Sequence, residues 1–103
     1  MQTHKAKRVD IIIEAVMEKR LTAALHSAEV TGYTVLPVLA GSGRSGQWTR
    51  EGEIGRAGGM VNVSCIVRPE RVDPLLDAAF AVVERHIGVV SVVDCEVLRA
   101  ERF

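Results

Sequence analysis

The sequence predicts an α+β fold, a ferredoxin-like β-α-β-β-α-β order with a four-stranded antiparallel sheet and a long loop between strands two and three. Three observations predict it. Four short segments are rich in β-branched residues, and two segments with apolar residues at helical spacing follow the first and third of them. Seven of the nine glycines crowd between Gly41 and Gly59, the only place where the alternation of elements is interrupted.

The 103 residues suit one domain, 1–103, with a flexible loop at about 41–59. Hydrophobic residues make up 48% and charged residues 25%, an ordinary globular balance. Thirteen basic and thirteen acidic side chains cancel, which leaves no electrostatic footprint for nucleic acid or an anionic membrane. No apolar run approaches a membrane span, and "MQTHKAKRVD" has no apolar stretch of a secretory signal. A cytoplasmic location is expected. Cys65 and Cys95 sit in apolar runs and read as buried free thiols. They have no CxxC or HxxxH companions, and His4, His26 and His86 are scattered, so no metal site is expected.

"KRVDIIIEA", Lys7 to Ala15, reads as the first strand. In "MEKRLTAALHSAEVTG", Leu21, Ala24, Leu25 and Ala28 repeat at helical spacing, and Gly32 is placed to break the helix. "YTVLPVLA", Tyr33 to Ala40, is the second strand. Pro37 lacks an N–H and therefore marks an edge or a bulge. In the third strand, "MVNVSCIVR", Val61, Val63, Cys65 and Val67 share one face while Asn62 and Ser64 share the other. Val72, Leu75, Leu76, Ala79, Phe80 and Val83 form the stripe of the second helix. Asp73 and Pro74 suit an N-cap and first position, although the stripe already includes Val72, and Gly88 suits the end. "VVSVVDCEVL", Val89 to Leu98, is the fourth strand. In strand order 4-1-3-2 the first strand separates Cys65 from Cys95, which argues against a bridge within the chain. A regular pleat leaves Ile12, Leu36, Val38, Ile66, Val90 and Val92 on the uncovered face, and that much apolar surface predicts a homo-oligomer.

The loop carries the chemistry. Glycines admit positive φ and close backbone approach, so "GSGRSG", Gly41 to Gly46, can wrap a phosphate with its N–H groups, and Arg44 adds a charged fork. A mobile hairpin loop is the plainer reading of the same residues. It is not a Walker A loop, because no GK[ST] follows, and it opens no helix as a dinucleotide fingerprint would. No Ser/His/Asp or Cys/His set accompanies it, and the residues point away from an enzyme.

Over nearly its whole length the chain resembles the PII signal-transduction family and its PII-like relatives. "KRVDIII" is similar to the family's first strand. "GYTVLPVLAGSGRSG" is similar to its second strand and loop base through Gly32, Thr34, Val35, Val38, Gly41, Gly43, Arg44 and Gly46. The resemblance implies a homotrimer of ferredoxin-like subunits, an adenine nucleotide in each intersubunit cleft, and a T-loop between strands two and three that docks on a target protein. It places Gly41, Gly43 and Arg44 on the phosphate side, with Thr34, Ser64 and Ile66 toward adenine and ribose and Ile12 nearby. Arg99 and Arg102 would come from the chain end to meet phosphates of the nucleotide in the neighbouring cleft, and Gly88 stands in the turn that grips the outer phosphates.

Departures from the family pattern sharpen the expectation. Leu39 and Ala40 add a residue between Val38 and Gly41, which predicts a bulge or a flipped pleat. The turn "RHIGVVS" is shorter than the family's glycine- and lysine-bearing loop, which favours ADP or AMP over ATP, although ATP remains possible. Ser45 stands where nitrogen-regulating members have the Gln that helps hold Mg²⁺ and 2-oxoglutarate, and the loop has no Tyr to uridylylate. The resemblance therefore implies a regulator of the inorganic-carbon and carboxysome-linked subgroup, with bicarbonate as co-ligand. Its partner would be a target protein such as a bicarbonate transporter. Arg44, Ser45, Gly46, Trp48 and Arg50 would be the effector and anion-binding part of the loop. A nitrogen-linked regulator binding ATP or ADP with 2-oxoglutarate, and a metal-linked ferredoxin-like trimer, are the alternatives.

Overall fold

The computed structural model describes residues 1–30, 32–43, 46–49, 59–99 and 101. The elements run β1 (His4–Glu14), α1 (Glu18–Ser27), β2 (Thr34–Val38), β3 (Ala40–Gly43), β4 (Gly46–Thr49), β5 (Met60–Val67), α2 (Val72–Val83) and β6 (Gly88–Val97). Each helix is preceded by one 3-10 turn, at Ala15–Met17 and Pro69–Arg71. The main sheet is antiparallel in the order β2-β5-β1-β6, which is the ferredoxin-like order expected from the sequence.

Period-2 alternation decides which side chains make the core. Val9, Ile11 and Ile13 of central β1 are fully buried, and the register sets them beside Cys65, Val63 and Val61 of β5. Leu21 and Leu25 of α1 and Leu75, Ala79 and Val83 of α2 close over that face. Pro37 does lie on an edge strand, since β2 pairs only with β5. Cys65 and Cys95 are both free. Cys65 stands opposite Val9 on the helix-covered face, whereas Cys95 stands opposite Ala6 on the other face, so sheet geometry keeps them apart twice over. Burial, and to a smaller extent the Asp10 carboxylate, push the Cys65 thiol up to about 11, which leaves it protonated and unreactive near neutrality.

Several local expectations are corrected. Gly32 does not end the first helix. α1 stops at Ser27 in a left-handed cap made by Glu29, whose φ is 65°. Glu29 N–H donates to His26 O at 2.9 Å and Val30 N–H to Leu25 O at 2.9 Å, the paired bonds of a Schellman turn. Val30 and Leu25 are buried together beneath it, and that contact fixes the turn whatever residue occupies the left-handed position. Asp73 and Pro74 do not start the second helix. The Pro69–Arg71 turn runs directly into α2 at Val72, with Arg71 at the cap position, so Asp73 lies inside the first turn. Gly88 does not end that helix either: α2 ends at Val83 and Gly88 is the first residue of β6. Phe80 is 61% exposed, because the buried stripe of α2 runs through Leu75, Ala79 and Val83.

The uncovered face also needs one change. Ile11 pairs with Val90 and Val9 with Val92, so Val90 and Val92 take the helix-covered side. Val89 and Val93, opposite Ile12 and Arg8, take their places on the open side. A one-residue slip in reading β6 reverses its faces. Ile12, Leu36, Val38 and Ile66 lie on the open face as expected. Asn62 lies between Leu36 and Ile12, and its side-chain oxygen is buried without a hydrogen-bond partner.

The added residue before Gly41 produces neither a bulge nor a flipped pleat in the main sheet. Leu39 falls between β2 and β3, and the chain leaves the main sheet there for a two-stranded hairpin in which Gly41 pairs with Trp48 and Gly43 with Gly46. The loop therefore begins as ordered ladder at Ala40–Gly43.

Candidate nucleotide cleft

The strand ends away from the β3–β4 hairpin frame an open cleft of about 860 Å³. Thr34, Ser64 and Ile66 contribute one wall. Antiparallel pairing puts Thr34 opposite Ser64, and even positions of β5 face away from the helices, so all three side chains share the open face. This wall offers two hydroxyls beside an aliphatic surface, a suitable combination for a heterocyclic base. Gly32 and Tyr33 bring the chain into the cleft ahead of β2, and a Cβ on Gly32 would meet nothing within 4 Å.

The cleft is strongly basic. Among the described residues, Arg68 and Arg71 enter from the two ends of the Pro69–Arg71 turn and Arg99 from just beyond β6, against one carboxylate, Glu29. Arg71 Nη2 donates to Ala28 O at 2.7 Å, which fixes this guanidinium on the last carbonyls of α1. Arg99 is exposed and its Nε lies 3.6 Å from Glu101 Oε1, a surface contact that leaves it able to turn toward an anion. Three guanidinium groups at one opening suit phosphate oxygens.

Sequence reasoning therefore brings four of its residues, Thr34, Ser64, Ile66 and Arg99, to one cleft of one chain. Ile12 and Gly88 are elsewhere. Ile12 pairs with Asn62 and Val89, and Gly88 with Ile13, toward the hairpin end of the sheet. Gly41 and Gly43 lie in β3 of the separate hairpin, and Gly46 and Trp48 in β4. Arg44, Ser45, Arg50 and Arg102 lie outside the described residues. Glu29, Arg68 and Arg71 were not singled out by the sequence. The two arginines lie in a stretch that reads only as a strand end and a helix approach, and Glu29 reads as a helix residue before Gly32. The convergence exists only in three dimensions.

At the Gly88 turn, Glu14 accepts from the Ile87 N–H at 3.4 Å and lies 3.3 Å from His86 Nδ1, so His86 has a local capping contact. Ala15 N–H donates to Gly59 O at 2.7 Å, which ties the far end of the loop to the same corner. Among the described residues, no group of three His, Cys, Asp or Glu could hold a metal ion, and no helix is long and apolar enough to cross a membrane.

The subunit is thus ferredoxin-like, with a long connection between edge strand β2 and β5 and a basic cleft at its strand ends that suits an anionic ligand. The family model for nitrogen regulatory protein P-II matches residues 6–102. The chain belongs to that family, whose members are non-catalytic signal-transduction regulators that generally work as homotrimers. Among solved structures it is similar to CPII, a nitrogen regulatory PII-like protein from Thiomonas intermedia K12. With CPII bound to ADP, AMP and bicarbonate, identity is 30%, coverage 99% of this chain and 96% of that one, and TM-score 0.89. With CPII bound to ADP and bicarbonate the values are 32%, 99%, 97% and 0.85. With apo CPII they are 29%, 93%, 95% and 0.72. No curated protein matches the chain.

Proposed function

We propose that this protein is a PII-like regulator that binds ADP or AMP, takes bicarbonate as co-ligand, and controls a target protein through its loop at about 41–59. The observation that carries this reading is the cleft where Thr34, Ser64 and Ile66 face Arg99, in a chain similar to a protein solved with ADP, AMP and bicarbonate. The base lies against Thr34, Ser64 and Ile66, and the phosphates extend toward the arginines. Ile12, Gly41, Gly43, Arg44 and Gly88 come from a neighbouring copy, since Ile12 and Gly88 occupy the other half of this chain's own sheet. Arg102 joins Arg99 at the phosphates. The open face, with Leu36, Ile66, Val89 and Val93 each at least 40% exposed, is covered by two further copies in a homotrimer. A trimer also gives the orphaned Asn62 oxygen a place to find a donor.

The loop segment Arg44, Ser45, Gly46, Trp48 and Arg50 is the effector part and supplies the bicarbonate donors. Fixing such a segment costs about 1–2 kcal/mol per residue in backbone entropy. A ligand that contacts only the ordered state can therefore gate it. The target is a cytoplasm-facing protein of inorganic-carbon uptake, such as a bicarbonate transporter.

Calorimetric titration with ADP, AMP and ATP, each with and without bicarbonate, tests the assignment. ADP and AMP should bind more tightly than ATP, and bicarbonate should tighten at least one of them. No binding of any of the three would sink the reading, and tight ATP binding that responds to 2-oxoglutarate would replace it with the nitrogen-linked alternative.

A further inference from the structure

Glu29 is held in a conformation its side chain disfavours. It is the only residue other than glycine with positive φ among the described residues. The position it fills, directly after the last α1 carbonyls, is one that glycine takes at least cost. A negative side chain there also meets the negative end of the helix dipole. Among the described residues nothing repays this locally, since no hydrogen bond or ion pair engages the Glu29 carboxylate. Two local preferences are violated at one position, and that position lines the cleft.

The backbone beneath Glu29 is rigid. Val30 on one side is buried against Leu25, and the Ala28 carbonyl on the other is pinned by Arg71. Exposed Glu29 thus sits at a fixed point on the lining of an opening that also holds Arg68, Arg71 and Arg99. Phosphate would be repelled by the carboxylate, and an adenine edge offers it only the N–H donors of one amino group. A pair of vicinal hydroxyls fits, because one carboxylate accepts from both and dinucleotide folds use an acidic residue in this way on ribose.

Resting on the nucleotide reading above, we propose that Glu29 is the sugar-reading residue of the cleft. Its carboxylate accepts hydrogen bonds from the ribose hydroxyls and selects ribonucleotides over 2′-deoxyribonucleotides. The strained turn is the cost of placing it there.

The test is titration of the whole protein and of Glu29→Gly with ADP and 2′-deoxy-ADP, with a thermal melt of each. Loss of one hydrogen bond to a carboxylate corresponds to about a tenfold preference for ADP in the wild type. Glu29→Gly should bind both ligands within about twofold of each other and melt about 4 °C or more higher, since glycine suits the turn. A preference that survives in Glu29→Gly overturns the proposal, as does a wild type that binds both ligands equally. A lower melting point in Glu29→Gly would make Glu29 a structural residue and overturn it too. Absence of any ADP or AMP binding by the wild type would instead remove the nucleotide reading itself.

Discussion

Leu36→Asp should convert the assembly to monomers while leaving the subunit folded. Leu36 is 48% exposed on edge strand β2, on the open face beside Asn62, so it contributes little to the helix-covered core. Covered by another copy, it would lie among Ile12, Ile66, Val89 and Val93. A carboxylate in that setting must be desolvated without a partner, which costs several kcal/mol at each copy. Removing an interface leucine alone would forfeit about 1.5–3 kcal/mol of burial. Sedimentation velocity should therefore show loss of the trimer, with far-ultraviolet circular dichroism unchanged. A Leu36→Asp protein that stays trimeric would show that the open face is not the interface.

Gly88→Ala should destabilise the subunit markedly although it adds only one methyl group. A Cβ at Gly88 would stand 2.4 Å from the Ile12 carbonyl oxygen, with two further backbone atoms of β1 at 3.5 Å. The neighbours are main chain of the central strand, so no rotamer change relieves the contact and β6 must move away from β1. Such overpacking typically costs about 1–3 kcal/mol, and a rigid backbone neighbour puts this case at the upper end. For a chain of this size that is a fall in melting temperature of roughly 10–20 °C. The change would also displace the turn that Glu14 holds through His86 and Ile87, so nucleotide affinity should drop with it. A melting point within a few degrees of wild type would show that the strand pair is more pliable than this register implies.

The fold was legible because both periodicities are strong. Val61, Val63, Cys65 and Val67 alternate cleanly, and Leu75, Ala79 and Val83 recur at helical spacing, so strand, helix and buried face follow from the residues alone. What failed was local. In "GVVSVV" valines occupy both faces of an edge strand, and parity is settled by pairing with β1, which no single sequence displays. The α1 terminus misled because glycine is the usual left-handed residue and Gly32 was the nearest, whereas the Leu25–Val30 contact sets the turn at Glu29. The site divided along the same line. Thr34, Ser64 and Ile66, which line the cleft, were expected there from the family resemblance. Glu29, Arg68 and Arg71 reach the cleft from a helix end and a 3-10 turn, and their meeting depends on how α1 and α2 sit on the sheet.

The central claim is that each nucleotide site is built from the Thr34 cleft of one copy and the loop-base residues of the next. Complementation in mixed trimers measures this most directly. Thr34→Tyr should block the cleft and Gly43→Glu should repel phosphate at the loop base, so neither parent binds ADP. Unfolded together and refolded as an equal mixture, the two should regain about a quarter of the wild-type sites, because random assembly pairs an intact cleft with an intact neighbour that often. Recovery near that level, at wild-type affinity, is the predicted result. A refolded mixture of trimers that binds no ADP, beside a wild type that does, would contradict the account and place the whole site within one chain.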